Sequence, residues 1–185
     1  MIVTDNFLPK IAFFLLKKYC RENEFQIVTL GEKQFSILET PPELIPLFQI
    51  EGHELICTFI RSAKNDFDTD QRIHADNIIN GHKTALASVL YLNEKDEVSK
   101  NGTMFWIHET HGDQLDKSVS NEEFDRLITQ DSNDLSKWEA SDIVHAKPNR
   151  RLLYNASLFH SKWPAKIEKG ERKVLVCFYA EKTKI

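Results

Sequence analysis

The chain has 185 residues, enough for one domain with a sizeable core, and 41% hydrophobic against 28% charged residues excludes a disordered chain. A formal net charge of −4 leaves no broad basic surface for a phosphate backbone, so nucleic acid is disfavoured as a partner. Three widely spaced cysteines, Cys20, Cys57 and Cys177, make neither an even disulfide set nor a CxxC knuckle, and no run approaches the length of a membrane span. The start "MIVTDNFLPK" also lacks a basic segment followed by a long apolar one. These features predict a soluble, intracellular protein with buried free thiols and a single domain over residues 1–185, and they leave its oligomeric state open.

In chain order, "IVTDNFL" predicts a short strand and a turn. "PKIAFFLLKKYCREN" predicts a helix opened by proline, with Ile11, Phe14, Leu15 and Tyr19 as the apolar face against a sheet. "FQIVTL" and "QFSIL" around "GEK" predict a hairpin. The proline-rich "PPELIPLF" predicts a short helix or loop leading into the apolar strand "LICTFIRS", which ends near Arg61. "TALASVLYLN" and "TMFWIHE", joined by the charged turn "EKDEVSKNG", predict two antiparallel core strands paired with each other. Ser120 and Glu123 form a capping box for a helix "NEEFDRLITQ", and the polar "DSNDLSKWEASDIVHAKPN" predicts a surface excursion. "RRLLYNASLFH" and "RKVLVCFYA" predict two closing strands around a charged loop with Pro164 and Gly170. The fold class is mostly β (α+β), with helices mainly near the N-terminus.

The chemistry begins in "RIHADNIING". His74 and Asp76 are two residues apart, so on an extended segment both point to one face and reach one point in space. Alone, a His-x-Asp is a surface turn. His160, at the end of "RLLYNASLFH", changes that, because an antiparallel sandwich or barrel can bring it to the pair. Two histidines and one carboxylate on one face of a metal, with the opposite positions open, are the facial triad of non-haem Fe(II) oxygenases. Arg172 follows at the start of the last strand, where a planar guanidinium can hold an organic acid bidentately.

At these residues the chain resembles the 2-oxoglutarate- and Fe(II)-dependent dioxygenases, particularly their prolyl-4-hydroxylase-like branch. "RIHADN" is similar to that family's His-x-Asp, and "VLYLN" to its tyrosine-bearing strand. "NRRLLYNASLFHSKWPAKIEKGERKVLVCFYA" is similar to its closing pattern of distal histidine, proline loop, Gly-x-Arg and apolar strand. "VTDNFLP" is a familiar opening. Two departures stand out: Asn101-Gly102 replaces the common double glycine, and Val174 stands where some relatives have serine. The resemblance implies a double-stranded β-helix, or jelly roll, with His74, Asp76 and His160 as Fe(II) ligands. It also implies that Arg172 binds the distal carboxylate of 2-oxoglutarate and that the Tyr91 hydroxyl makes a second contact. The implied activity is hydroxylation of a C–H bond, in a peptidyl proline or another small-molecule or peptide substrate, with dioxygen consumed and 2-oxoglutarate decarboxylated to succinate.

Rival readings are weaker. A metal-binding, cupin-like jelly roll without oxygenase turnover shares the triad and differs only in activity. "HETHGD" lacks the zinc-protease spacing, since its histidines are three apart rather than four. Arg72 reads as a salt-bridged arginine or a substrate group, Trp138 and Trp163 as packing residues or the substrate mouth, and Tyr91, apart from the resemblance, as a core aromatic. The loops "SAKNDFDTDQ" and "ETHGDQLDKSVS", which would choose the substrate, are polar and acidic without a decipherable code.

Overall fold

The computed structural model describes residues 1–30, 33–64, 68, 72–95, 97–98, 100–116 and 118–182. The first two residues of the "GEK" turn, and residues 65–67, 69–71 and 117 of the two polar loops, lie outside the described residues. Strand β1 (Ile2–Thr4) is followed by helix α1 (Lys10–Glu22), which Pro9 opens from the N-cap with φ −51°. Strands β2 (Gln26–Leu30) and β3 (Lys33–Glu39) pair antiparallel as the predicted hairpin. A 3-10 segment over Pro42–Phe48 leads into the long strand β4 (His53–Ala63), which runs past the predicted end at Arg61. After the His-x-Asp segment come the minimal strands β5 (Ile78–Ile79) and β6 (His82–Lys83), then β7 (Leu86–Tyr91) and β8 (Gly102–His108). Helix α2 (Asn121–Arg126) starts where expected, the Ser120 hydroxyl accepting the Glu123 N–H at 3.2 Å, and widens into a π turn over Leu127–Asp131. Strands β9 (Trp138–His145), β10 (Arg151–Asn155), β11 (His160–Trp163) and β12 (Arg172–Glu181) complete the described chain.

The strands form a seven-stranded sheet, β1-β10-β7-β12-β4-β3-β2, and a three-stranded sheet, β11-β8-β9, with antiparallel neighbours throughout. This is the expected jelly roll. The alternation of β12 builds both sides of the large sheet. Leu175, Cys177 and Tyr179 turn outward onto Leu16 and Cys20 of α1. Val174, Val176 and Phe178 turn inward, where Phe105 of β8 and Val144 of β9 close the core between the sheets. A third cluster, with Ile73, Trp106, Trp138 and Phe159, lies around the small sheet and the start of the π turn at Leu127. The three cysteines are free, Cys20 and Cys177 buried and Cys57 half-buried. Among the described residues no helix is long and apolar enough to cross a membrane.

Four local expectations are corrected. β7 and β8 do not pair: β7 lies between β10 and β12 in the large sheet, and β8 between β11 and β9 in the small one. β7 is buried along almost its whole length and needs a neighbour on each side, which only later parts of the chain supply. "RRLLYNASLFH" is not one strand. Asn155 accepts the Ser157 N–H on its side chain and the Leu158 N–H on its carbonyl, both at 3.0 Å, and this turn carries the chain from β10 to β11. His160 therefore opens a strand instead of ending one. The predicted surface excursion contains β9, whose only buried residues are Trp138 and Val144, so its polar composition concealed an edge strand.

The fourth correction concerns α1. Ile11, Phe14 and Leu15 are 75%, 60% and 52% exposed, and the buried side carries Leu16 and Cys20 flanked by Ala12, Phe13 and Tyr19. "KIAFFLLKKYC" is apolar on both sides, so periodicity could not choose between them; the face with small Ala12 and Cys20 allows the closer approach to the sheet. Leu16→Ala is expected to destabilise by ~2–5 kcal/mol through the cavity it leaves, and Leu15→Ala by less than ~0.5 kcal/mol. Urea unfolding of the two variants checks the assignment, and equal losses would contradict it.

Candidate metal centre

His74 lies in a short bridge to the first residue of β11. The His74 N–H donates to the His160 carbonyl at 3.0 Å and the His160 N–H returns to the His74 carbonyl at 2.9 Å, which sets the two rings 4.5 Å apart. The Asp76 N–H continues the contact, donating to the Ala156 carbonyl at 2.8 Å. An 86-residue separation in sequence is thus closed by backbone hydrogen bonds alone, before any side chain contributes.

Each ring is oriented by its other nitrogen. His74 Nδ1 lies 2.8 Å from the Arg72 carbonyl and His160 Nδ1 lies 2.9 Å from the Leu158 carbonyl. A carbonyl only accepts, so both protons sit on Nδ1 and both Nε2 lone pairs face the site. They approach the two oxygens of Asp76 at 3.5 and 3.4 Å, and the three ligand atoms lie within 4.8 Å of one another. Asp76 is buried, and its Oδ2 has no hydrogen-bond partner among the described residues. An orphaned buried carboxylate oxygen beside two imidazole lone pairs is a set of acceptors short of donors. A divalent cation with affinity for nitrogen and oxygen fits it.

The surroundings shift both titrations in the direction a metal needs. It pushes the His160 imidazole down to about 4, so the ring is neutral at physiological pH. Burial would raise the Asp76 carboxyl, but His160 and His74 beside it outweigh that and hold it below the ordinary value. Tyr154 donates its hydroxyl to His160 Nε2 at 2.9 Å, and burial drives its phenol well above the ordinary range, so it remains a donor. For the metal-free protein, an unfolded His160 titrates near 6.5 and the folded one near 4. The unfolded state therefore takes up the proton first on acidification. Stability from this group is present above pH 6.5 and is lost as pH falls towards 4, by up to ~3 kcal/mol. Thermal melts across this range should show a shallower decline for His160→Asn, and an unchanged slope would exclude His160 as the source.

The three ligands open onto a cavity of about 80 Å³, well beyond the roughly 10–15 Å³ that one water needs. Phe59, Val174, Val176 and Phe178 form its apolar wall, and Thr103, Tyr154 and Arg172 its polar points. Arg172 is buried without a carboxylate in ion-pair contact among the described residues. Its Nε donates to Asn101 Oδ1 at 2.8 Å and its Nη2 to the Gly102 carbonyl at 3.2 Å. Burial lowers it to about 10, which leaves it charged. The Asn101-Gly102 pair thus has a physical role. Asn101 supplies the amide that orients the guanidinium, and a Cβ on residue 102 would stand 2.7 Å from the Val144 carbonyl, so only glycine lets β8 approach β9 there.

Tyr91 stands one layer behind the cavity. It is buried, its hydroxyl 2.7 Å from Thr103 Oγ1 and donating to the Val144 carbonyl at 3.3 Å, and Thr103 is the residue that lines the space. Sequence reasoning missed Arg61, Asn101, Thr103, Tyr154 and Lys162. Lys162 alone had a local signal, being two residues beyond His160 on one strand face. The "HETHGD" histidines instead anchor α2: His108 Nε2 lies 3.2 Å from Asp131, His111 Nε2 lies 2.8 Å from Glu123, and Arg126 binds both carboxylates. Trp138 is buried with its N–H on the Asp131 carbonyl at 2.8 Å, and Trp163 packs edge-on to His145; neither lines the cavity.

No protein-family model and no curated protein matches the sequence. Solved structures do match the fold. The non-haem α-ketoglutarate-dependent carbocyclase SnoK from nogalamycin biosynthesis is 14% identical, with a TM-score of 0.68 over 97% of this chain and 79% of its own. HygX from Streptomyces hygroscopicus, solved with nickel and 2-oxoglutarate bound, is 13% identical, with a TM-score of 0.56 over 97% of this chain and 82% of its own. A Pseudomonas putida prolyl-4-hydroxylase is 14% identical, with a TM-score of 0.56 over 98% of this chain and 92% of its own. At these identities the likeness establishes a shared jelly-roll fold.

Proposed function

We propose that the chain is a 2-oxoglutarate- and Fe(II)-dependent oxygenase that hydroxylates a C–H bond of an organic substrate. The overall reaction converts substrate, 2-oxoglutarate and dioxygen to hydroxylated product, succinate and carbon dioxide. One observation carries the reading: a nitrogen, nitrogen, oxygen ligand set shares a cavity with a buried arginine that has no carboxylate partner among the described residues. A metal protein without co-substrate has no need of that arginine. HygX, which binds 2-oxoglutarate, and the α-ketoglutarate-dependent SnoK support the same chemistry.

His74, Asp76 and His160 would hold the metal at the wall of the cavity that all three line. Fe(II), when bound, supplies the dioxygen and one-electron chemistry that no side chain here possesses. Arg172, steadied by Asn101, takes the distal carboxylate of 2-oxoglutarate, and Thr103 offers a neutral hydrogen bond, with Tyr91 supporting it from behind. Tyr154, whose hydroxyl meets His160 Nε2 at 2.9 Å, would have to release that nitrogen for it to hold a metal. Phe59, Val176 and Phe178 keep water from the reacting C–H bond. An intact Asp76 favours hydroxylation over halogenation, because scaffolds of this kind that bind halide lack the carboxylate. A peptidyl proline is one candidate substrate, on the likeness to the prolyl-4-hydroxylase; the carbocyclase makes small molecules an equal class.

The test is succinate release from the Fe(II)-loaded protein given 2-oxoglutarate and air, first alone and then with panels of peptides and metabolites. Slow substrate-free turnover that needs Fe(II) is the expected result. Tight metal binding with no consumption of 2-oxoglutarate under any condition would leave a jelly-roll metal-binding protein.

A further inference from the structure

The two ligand histidines are oriented in the same way and supported differently. Each ring meets the carbonyl of the residue two before it, Arg72 for His74 and Leu158 for His160, at 2.8 and 2.9 Å. The His160 side is held by main chain: the Leu158 N–H donates to the Asn155 carbonyl and the Phe159 N–H to the Asp113 carbonyl, both at 3.0 Å. No side-chain substitution removes those bonds. On the His74 side the Ile73 N–H donates to the Ser132 carbonyl at 2.9 Å, but the Arg72 N–H donates to a side chain, Asn133 Oδ1, at 2.8 Å. Arg72 is also under backbone strain, its φ of +50° lying in the left-handed region that a residue with a Cβ rarely occupies. Such a conformation persists only where its surroundings impose it.

Asn133 can impose it because the turn it stands on is itself fixed. That turn follows the π turn over Leu127–Asp131. The Trp138 indole N–H donates to the Asp131 carbonyl at 2.8 Å, Arg126 Nη1 meets the Asp131 carboxylate at 2.7 Å and His108 Nε2 meets it at 3.2 Å. Asp131, His108 and Trp138 are all buried. The network ends in one exposed amide, and that amide holds the residue whose carbonyl orients a ligand.

We infer that Asn133 is a positioning residue for the metal centre, acting through the Arg72 backbone on the His74 ring. The inference rests on the metal reading of the triad and needs neither 2-oxoglutarate nor turnover. With the Asn133 amide in place, the Arg72 carbonyl accepts the His74 Nδ1 proton, and the Nε2 lone pair faces Asp76 and His160. Asn133→Ala removes the hydrogen bond to the Arg72 N–H, so the strained residue relaxes and its carbonyl turns with it. The Ser132 carbonyl still holds Ile73, so the segment stays docked and loses only the aim of the ring. Metal affinity falls while the fold, which the two sheets hold, does not.

Zn(II) affinity is measured by chelator competition for wild type, Asn133→Ala, Asn133→Asp and His74→Ala, with thermal melts of the metal-free proteins. Ser120→Ala is the control, since it removes another side-chain acceptor from a backbone N–H, at the cap of α2. High salt screens the charge that the aspartate adds. Asn133→Ala should bind Zn(II) roughly tenfold more weakly, as loss of an outer partner does, while Asn133→Asp, which keeps the Oδ1 acceptor, and Ser120→Ala should stay within about threefold of wild type. Imidazole proton–nitrogen spectra of the Zn(II)-loaded proteins give a readout that general destabilisation does not move. The Nδ1 protons of His74 and His160 should both be slow to exchange in wild type, that of His74 alone should be lost in Asn133→Ala, and Asn133→Asp should restore it. Zn(II) affinity of Asn133→Ala within about threefold of wild type, an equal loss in Ser120→Ala, no recovery with Asn133→Asp, or an unchanged His74 Nδ1 proton in Asn133→Ala would each overturn the inference. A metal-free melting temperature that falls further in Asn133→Ala than in Ser120→Ala would make Asn133 a structural residue instead. Zn(II) affinity unaltered in His74→Ala would overturn the metal reading itself, so the two failures are told apart.

Discussion

Arg172→Ala is expected to weaken 2-oxoglutarate binding by on the order of a hundredfold or more while Fe(II) still binds. The guanidinium is buried, held by Asn101 and the Gly102 carbonyl, and has no carboxylate partner among the described residues, so the distal carboxylate of 2-oxoglutarate would be a strong ionic partner for it. Arg172→Lys keeps the charge without the planar fork and also loses the Nε–H that Asn101 accepts, so its affinity should fall between wild type and alanine. Asn101→Ala should act in the same direction by loosening the arginine. Tyr91→Phe should act more weakly still, since its hydroxyl reaches the cavity only through Thr103. The measurement is the charge-transfer absorbance of the anaerobic Fe(II) complex titrated with 2-oxoglutarate. Unaltered affinity in Arg172→Ala would remove the co-substrate assignment.

The second large effect is at the ligands. His74→Ala and His160→Ala should each lower Fe(II) affinity by more than the roughly 10–100-fold that loss of an outer partner costs. Mn(II), Co(II), Ni(II) and Zn(II) should compete for the same site in wild type, because affinity alone does not select iron. Asp76→Asn separates function from folding. The two histidines favour the Asp76 carboxylate while one of its buried oxygens is unsatisfied, so Asp76→Asn should cost the metal-free protein only a modest part of its stability, while metal binding and turnover are lost. Metal affinity unchanged in both histidine variants would refute the triad. A collapse of the metal-free melting temperature in Asp76→Asn would make the aspartate a structural residue.

What could be read before folding was local. The Ser120–Glu123 cap, the β2–β3 hairpin and the two faces of β12 follow from backbone geometry over two to four residues. The same period puts Val174, Val176 and Phe178 on the side of Arg172. The candidate cluster of His74, Asp76 and His160 was legible for a related reason: its residue types are rare in that combination, and His74 and Asp76 are near neighbours in sequence. Strand identity was far easier to see than strand partnership. Nothing in "TALASVLYLN" or "TMFWIHE" records that one joins the large sheet and the other the small, because pairing is settled by which arrangement buries both faces of a central strand.

The same limit governs the rest of the site. Arg61, Thr103, Tyr154 and Lys162 come from four separate strands, and no motif gives any of them a role. Composition and charge are totals over the chain, and periodicity and the His-x-Asp pair came from its order alone, since both depend on residues close enough to share a helix turn or a strand pleat. The buried face of α1 and the crossing from β10 to β11 did not. Those depend on contacts between distant segments, whose free energy exists only once the two sheets have closed over a common core.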